Sequence, residues 1–191
     1  MPVRPKIRCK ISQRLLWAIF GLSAVALLGK PFSAPPPPVP REWAADRRKP
    51  MADFTLAAWN GQPWRLSAHR GHVVLLNFWA TWCPPCQEET PGLVRISQEF
   101  HTQGLDVAGI SMEGRTPNDT SSNILAFVKA YQIPYPILLP RPFAPVTSFV
   151  QSLPTTLLID RQGRIANATV GALEESSLRT EIQRLLQERE K

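Results

Sequence analysis

The sequence predicts an α/β domain over residues 51–191, built as a mixed sheet covered by helices in three layers. Two observations carry this. Residues 73–79 (VVLLNFW) and 105–111 (LDVAGIS) are near-continuous apolar runs, as expected of strands buried on both faces. Stretches with helical spacing separate such runs, so the order reads β-hairpin, βαβ, αβ, ββα.

In chain order, residues 54–66 (FTLAAWNGQPWRL) hold two short apolar runs around Asn60-Gly61, a hairpin signal. After the run at 73–79, a helix is expected over residues 84–102, with Leu93, Ile96 and Phe100 inward. Ile124, Phe127, Val128 and Tyr131 recur at helical spacing beyond the second run. Pro134 and Pro136 bracket a short extended piece reaching Leu139. Residues 155–159 are rich in β-branched side chains, and Asp160-Arg161-Gln162-Gly163 is a turn from which residues 164–170 return antiparallel. Leu178, Ile182, Leu185 and Leu186 lie on one face of a closing helix.

The chain has 191 residues, 20 prolines, three cysteines and a formal net charge of +7. At 43% hydrophobic it can bury a core. Three cysteines are too few for a disulfide-stapled scaffold. Residues 1–50 carry +8 and the remainder −1, so the basic excess is N-terminal and the domain lacks the electrostatic footprint of a nucleic-acid binder.

Residues 1–30 read as a membrane-targeting segment. Arg4, Lys6, Arg8, Lys10 and Arg14 precede an apolar stretch at residues 15–29, which Lys30 closes. That order sets an N-in orientation with everything downstream exported. Fifteen residues at about 1.5 Å each fall short of a ~30 Å hydrocarbon core. The reading taken is a retained anchor that Arg14 and Lys30 lengthen by snorkelling. Its rival is a cleaved signal peptide, which leaves the protein free in the periplasm. Residues 31–50, with prolines at 31, 35–38, 40 and 50, are expected to form an extended linker that neither pairs as a strand nor continues a helix.

The chemistry sits at Trp82-Cys83-Pro84-Pro85-Cys86, where a buried strand hands over to a helix. A cysteine at a helix N-terminus meets unpaired N–H groups and the positive end of the dipole, both of which favour thiolate. Cys86, three residues later, is close enough to form a disulfide with Cys83. Such a pair can attack a substrate disulfide and then resolve the mixed disulfide internally. A zinc site needs four ligands, and one C-x-x-C supplies two; His69 and His72 lie in the polar turn before the strand, and no metal or cofactor is expected. Cys9 belongs to the basic region ahead of the apolar stretch.

These features resemble the thioredoxin superfamily, and within it the TlpA/ResA-like membrane-anchored thiol–disulfide oxidoreductases. The resemblance rests on NFWATWCPPC (residues 77–86), on Pro91, and on Leu153-Pro154-Thr155-Thr156 followed by LLIDRQGRI. The helix and strand between residues 122 and 139 look like this branch's insertion into a thioredoxin-like three-layer sandwich. The resemblance implies that Cys83 is the nucleophile, Cys86 the resolving thiol and Pro154 a cis-proline facing the dithiol. It implies that Leu153 offers backbone hydrogen bonds to an extended substrate, alongside Trp82, Pro84 and Pro85. Where thioredoxin has a buried aspartate this chain has Asn77, an amide that cannot take up a proton near neutral pH. Asn77 is read as a hydrogen-bonded core amide.

Glu89 is the expected replacement for that aspartate as proton carrier: it follows Cys86 by three residues on the same helical face, matches the active-site glutamate of the ResA-like branch, and partial burial would raise its pKa. Glu88 is expected to face solvent. Pro84 and Pro85 remove two backbone donors near the Cys83 sulfur, which favours a reducing couple.

The expected function is an exported, membrane-tethered reductase of disulfides in other extracytoplasmic proteins. Its implied partners are disulfide-bearing clients, apocytochrome c being the family's best-known one, and a transmembrane thiol-electron donor. One rival is a peroxiredoxin-type peroxidase, whose P-x-x-x-T-x-x-C pattern is absent around Cys83. Another is a Sco-like copper-delivery protein, which needs C-x-x-x-C and a downstream histidine; the last histidine here is His101.

Overall fold

A computed structural model describes residues 41–42, 44–113, 121–140 and 144–188. The proposed anchor, Cys9 and residues 31–40 of the linker lie outside the described residues. No helix among the described residues is long and apolar enough to cross a membrane.

Among the described residues eight strands form one mixed sheet, in the spatial order β1 (Arg41–Glu42), β8 (Ile165–Val170), β7 (Thr155–Ile159), β4 (Val73–Trp79), β5 (Leu105–Ser111), β6 (Ile137–Leu139), β2 (Thr55–Ala58), β3 (Pro63–Arg65). The hairpin is β2 (Thr55–Ala58) and β3 (Pro63–Arg65), closed by the Ala58 N–H donating to the Gln62 carbonyl. The central strand β4 (Val73–Trp79) is buried at every residue. It pairs in parallel with β5 (Leu105–Ser111) and antiparallel with β7 (Thr155–Ile159). Apolar side chains cover it on both faces of the sheet, so it has no solvated face and its sequence shows no alternation. β6 (Ile137–Leu139) extends the parallel side, and β8 (Ile165–Val170) pairs with β7.

The α-helices among the described residues are α1 (Pro84–Phe100), α2 (Ser121–Ala130) and α3 (Glu175–Gln187). All three pack on one face of the sheet. Leu93, Ile96 and Phe100 of α1, Ile124 and Phe127 of α2, and Leu178, Ile182 and Leu185 of α3 share a cluster with Leu75 and Trp79 of β4. On the other face Val74, Leu76 and Phe78 pack with Leu66 and Val146. Those two belong to short 3-10 segments, Leu66–His69 and Pro145–Phe149, so among the described residues 3-10 turns cover this face. Each fully buried Leu or Phe contributes about 1.5–3 kcal/mol of transfer free energy.

The inserted helix is docked by rings. Phe127 packs on Trp79 at 4.5 Å and on Tyr131 at 4.4 Å between centroids. Gly109 makes room: a Cβ there would lie 2.8 Å from Trp79 Nε1 and 2.9 Å from Ile137 Cδ1.

The linker expectation needs correction over its second half. Arg41–Glu42 forms β1, paired with Ala168 and Asn167 of β8. The Ile165 N–H donates to the Lys49 carbonyl, and the Met51 N–H donates to the Gly163 carbonyl. Arg48 is buried, with its guanidinium on Asp160 (3.2 Å) and on both oxygens of Glu188 (2.6 and 2.8 Å). The prolines cluster before residue 41; from there to Lys49 every residue keeps its N–H, and the Arg48 side chain reaches both the β7–β8 turn and the end of α3. The folded domain therefore starts about ten residues before the expected boundary at residue 51.

Candidate active site

β4 ends at Trp79, and a short loop carries the chain into α1 with Cys83 as N-cap. Pro84 and Pro85 occupy the first helical positions, where a missing N–H costs nothing and the fixed φ suits the helix. The Cys83 and Cys86 sulfurs are bonded, with their Cα atoms 5.3 Å apart. Cys83 Sγ also accepts the Cys86 N–H at 3.3 Å. Neither proline can add a second donor.

The loop before Cys83 is clamped from two sides. The Thr81 N–H donates to Glu113 Oε1 at 2.5 Å, and its carbonyl accepts Gln87 Nε2 at 2.7 Å. Glu113 stands just beyond β5, and its other oxygen is buried without a hydrogen-bond partner among the described residues. Nothing in the sequence pattern singles out Glu113 or Gln87, because their role depends on the parallel pairing of β4 and β5.

An open groove of about 440 Å³ runs between Trp82, Cys83, Pro84 and Pro85 on one side and residues 150–153 on the other. Trp82 is 47% exposed on its rim, which places it outside the core. The Leu153–Pro154 peptide is cis, and the following residue, Thr155, pairs with Phe78 in β4. That register brings the proline loop beside the dithiol. Among the described residues none hydrogen-bonds the Leu153 backbone.

Behind the disulfide lies a buried polar cluster. Asn77 Nδ2 donates to Glu89 Oε1 at 2.8 Å and to Thr156 Oγ1 at 3.1 Å. Glu89 Oε2 accepts the Leu173 N–H at 3.1 Å, from the connection between β8 and α3. Burial pushes the Glu89 carboxyl up to about 7, against the opposing pull of the Leu173 N–H and the Asn77 amide. Tyr135, also buried, has its phenol raised by desolvation and by the nearby Glu89 charge. Glu88 is exposed. The Leu173 contribution comes from a backbone group and has no sequence signature.

His69 and His72 lie away from the groove; each Nδ1 contacts Asp106 Oδ2, at 2.7 and 2.8 Å. Among the described residues no group of three or more His, Cys, Asp or Glu is placed to hold a metal ion.

What the arrangement can do is exchange disulfides. One sulfur borders an open groove, its partner is buried one turn along, and a carboxyl that titrates near neutrality lies behind them. Comparison with known proteins agrees. A family model described as the AhpC/TSA family matches residues 48–168. The chain is 30% identical over 127 residues to the thiol-disulfide oxidoreductase ResA of Bacillus subtilis, covering 66% of this chain and 68% of that one. It is 28% identical over 132 residues to the ResA of Geobacillus thermodenitrificans, covering 69% and 73%. Among solved structures, a secreted thiol-disulfide isomerase from Corynebacterium glutamicum superposes with a TM-score of 0.69 at 26% identity, covering 82% of this chain and 97% of that one.

Proposed function

We propose, for a chain that belongs to the AhpC/TSA family and is a thioredoxin-fold thiol-disulfide oxidoreductase, that it works as a reductant of protein disulfides outside the cytoplasm. The observation that carries the direction is the donor count at the nucleophile. Among the described residues Cys83 Sγ receives a single backbone N–H, that of Cys86, because Pro84 and Pro85 have none to give. A weakly stabilised thiolate makes the dithiol less stable relative to the disulfide, and so makes the couple reducing.

The reaction runs in two exchanges. The Cys83 thiolate attacks one sulfur of a client disulfide lying in the groove, and the other client sulfur leaves as thiolate. Cys86 then gives its proton to Glu89 and attacks Cys83 Sγ, which releases the second client thiolate and closes the Cys83–Cys86 bond. Leu153 and Pro154 hold the client segment, and Trp82, Pro84 and Pro85 form the opposite wall. A thiol-electron donor spanning the membrane then returns two electrons to the pair. Residues 15–29 tether the domain on the periplasmic side of the inner membrane; an exported setting is supported by the basic-then-apolar N-terminus and by the secreted relative.

A trapping experiment tests the reading. Cys86→Ser in its native membrane is expected to accumulate mixed disulfides between Cys83 and exported proteins. The double variant that also carries Cys83→Ser accumulates none. If Cys86→Ser traps no protein while the wild-type dithiol remains fully oxidised in the cell, the protein is not working as a reductant. Stoichiometric tight copper binding by the reduced pair would point instead to metal delivery.

A further inference from the structure

The buried carboxyl has an outlet that does not pass through the client groove. A crevice of about 100 Å³ separates α1 from the start of α3, with Glu89, Gly92, Leu173 and Glu175 among its lining residues. It shares no residue with the groove that borders Cys83. The volume admits several waters, and the carboxylate side chains and the Arg95 side chain around it offer them partners. Residue 92 lines the crevice without a side chain. A Cβ built there would lie 3.0 Å from Glu175 Oε2, inside the space between the helices.

We infer that this crevice is the route by which Glu89 exchanges its proton with bulk water while a client seals the groove, and that Gly92 keeps the route open. The inference rests on the reading of Glu89 as proton carrier. In the resolving step Cys86 S–H loses its proton to the Glu89 carboxylate, and the sulfur's electron pair forms the bond to Cys83 Sγ. The client sulfur departs with the electrons of the mixed disulfide. Glu89 is then neutral and must lose that proton before the next turnover. With a client over Cys83, the crevice is the side still facing water.

The charged groups around the carboxyl suit this role. From β4, Asn77 donates to Glu89, and Thr156 of β7 accepts from the same amide. From the segment before β6, Tyr135 keeps its phenol proton. From α3, Glu175 is held anionic by Arg95 and Arg179, whose guanidinium nitrogens lie 2.5 and 2.8 Å from its oxygens. Glu88 and Arg95 of α1 complete the rim. Ion-paired side chains thus line the crevice together with the buried Glu89.

Gly92→Ala and Gly92→Leu in the full-length oxidised protein test the inference, with the ionisation of Glu89 followed by carboxyl ¹³C NMR. Displacing water from the crevice removes solvation of the charged form, so the Glu89 midpoint is expected to rise in the order Gly, Ala, Leu, by at least half a pH unit for leucine. The pH profile for reduction of a small disulfide by the reduced protein should shift alkaline by the same amount, while alkylation of Cys83 stays at the wild-type rate. Midpoints and profiles that do not move overturn the inference. If leucine prevents folding, alanine alone decides, since it favours the helix and still enters the crevice. Failure of the underlying reading looks different: Glu89→Gln would then show the wild-type pH profile whatever residue stands at 92.

Discussion

The amide of Asn77 on the central strand donates to the carboxyl of Glu89 on α1 across 2.8 Å, with both side chains buried. A strand residue thereby fixes where the buried carboxyl of the helix sits, one turn past Cys86. A buried carboxyl satisfied by a neutral amide and a backbone N–H keeps a titration point near neutrality, because desolvation outweighs two donors of ordinary strength.

Asn77→Ala removes a donor that favours the charged form. The Glu89 midpoint should move above its value of about 7. Stability should fall by about 1–3 kcal/mol, the usual cost of leaving a buried acceptor short of a partner. The two readouts are carboxyl NMR and urea denaturation, and a midpoint that falls contradicts the assignment.

Stability should depend on pH through Glu89. Its carboxyl holds a proton up to about 7 when folded, against an ordinary value of 4.5. Between those values the native state binds a proton that the unfolded chain has released, so the stability is complete below 4.5 and declines as pH rises through 7. The loss is up to about 3 kcal/mol. Glu89→Gln abolishes it, and its stability relative to the wild type should therefore climb by that amount between pH 4.5 and 8. Parallel denaturation curves across that range exclude the effect.

Pro85→Ala returns an N–H at the second helical position, aimed at the N-cap sulfur. It should stabilise the Cys83 thiolate and raise the reduction potential by on the order of 20 mV, as about 1 kcal/mol implies. Equilibration with glutathione measures this, and a potential that drops would show that the prolines act in some other way.

Trp82→Ala removes a ring that is half exposed on the groove rim. Folding stability should change by no more than about 0.5 kcal/mol, as expected for a surface site. Reduction of an unfolded protein disulfide should slow by about fivefold through KM, the loss of one aromatic anchor. A small disulfide should be reduced at the wild-type rate; equal losses on both substrates would assign Trp82 to the dithiol chemistry itself.

Arg48→Ala breaks the link between the segment before β2, the β7–β8 turn and the end of α3. Asp160 retains Arg164 at 2.9 Å, and Glu188 is partly exposed, so the cost should be on the order of 2 kcal/mol, below that of a fully buried pair. Turnover by the folded fraction should be unchanged. An unaltered melting temperature would show that residues 41–50 are not part of the cooperative unit.

The strands and helices were legible wherever burial leaves a periodic or continuous apolar trace. Residues 73–79 and the Leu93, Ile96 and Phe100 spacing are such traces, and the helix start follows from Pro84 and Pro85. The Cys83, Cys86 and Glu89 set is legible because all three lie within seven residues on one helix. Residues 41–50 were not, because their attachment is through backbone pairing with β8 and the ion pairs of Arg48, which carry no periodicity. The same holds for Glu113, whose grip on Thr81 exists only because β4 and β5 end side by side.

By itself the sequence determined the local chemistry: a dithiol at a helix N-terminus, two prolines that withhold donors from it, and an acid one turn beyond. These depend on neighbours within a turn of helix, where spacing is geometry. Only the tertiary structure decided that Asn77 and Leu173 converge on Glu89, that the Leu153–Pro154 loop faces Cys83, and that all three described helices share one face of the sheet. Those contacts join residues 12 to 84 positions apart, and strand register, which no single segment encodes, brings them together.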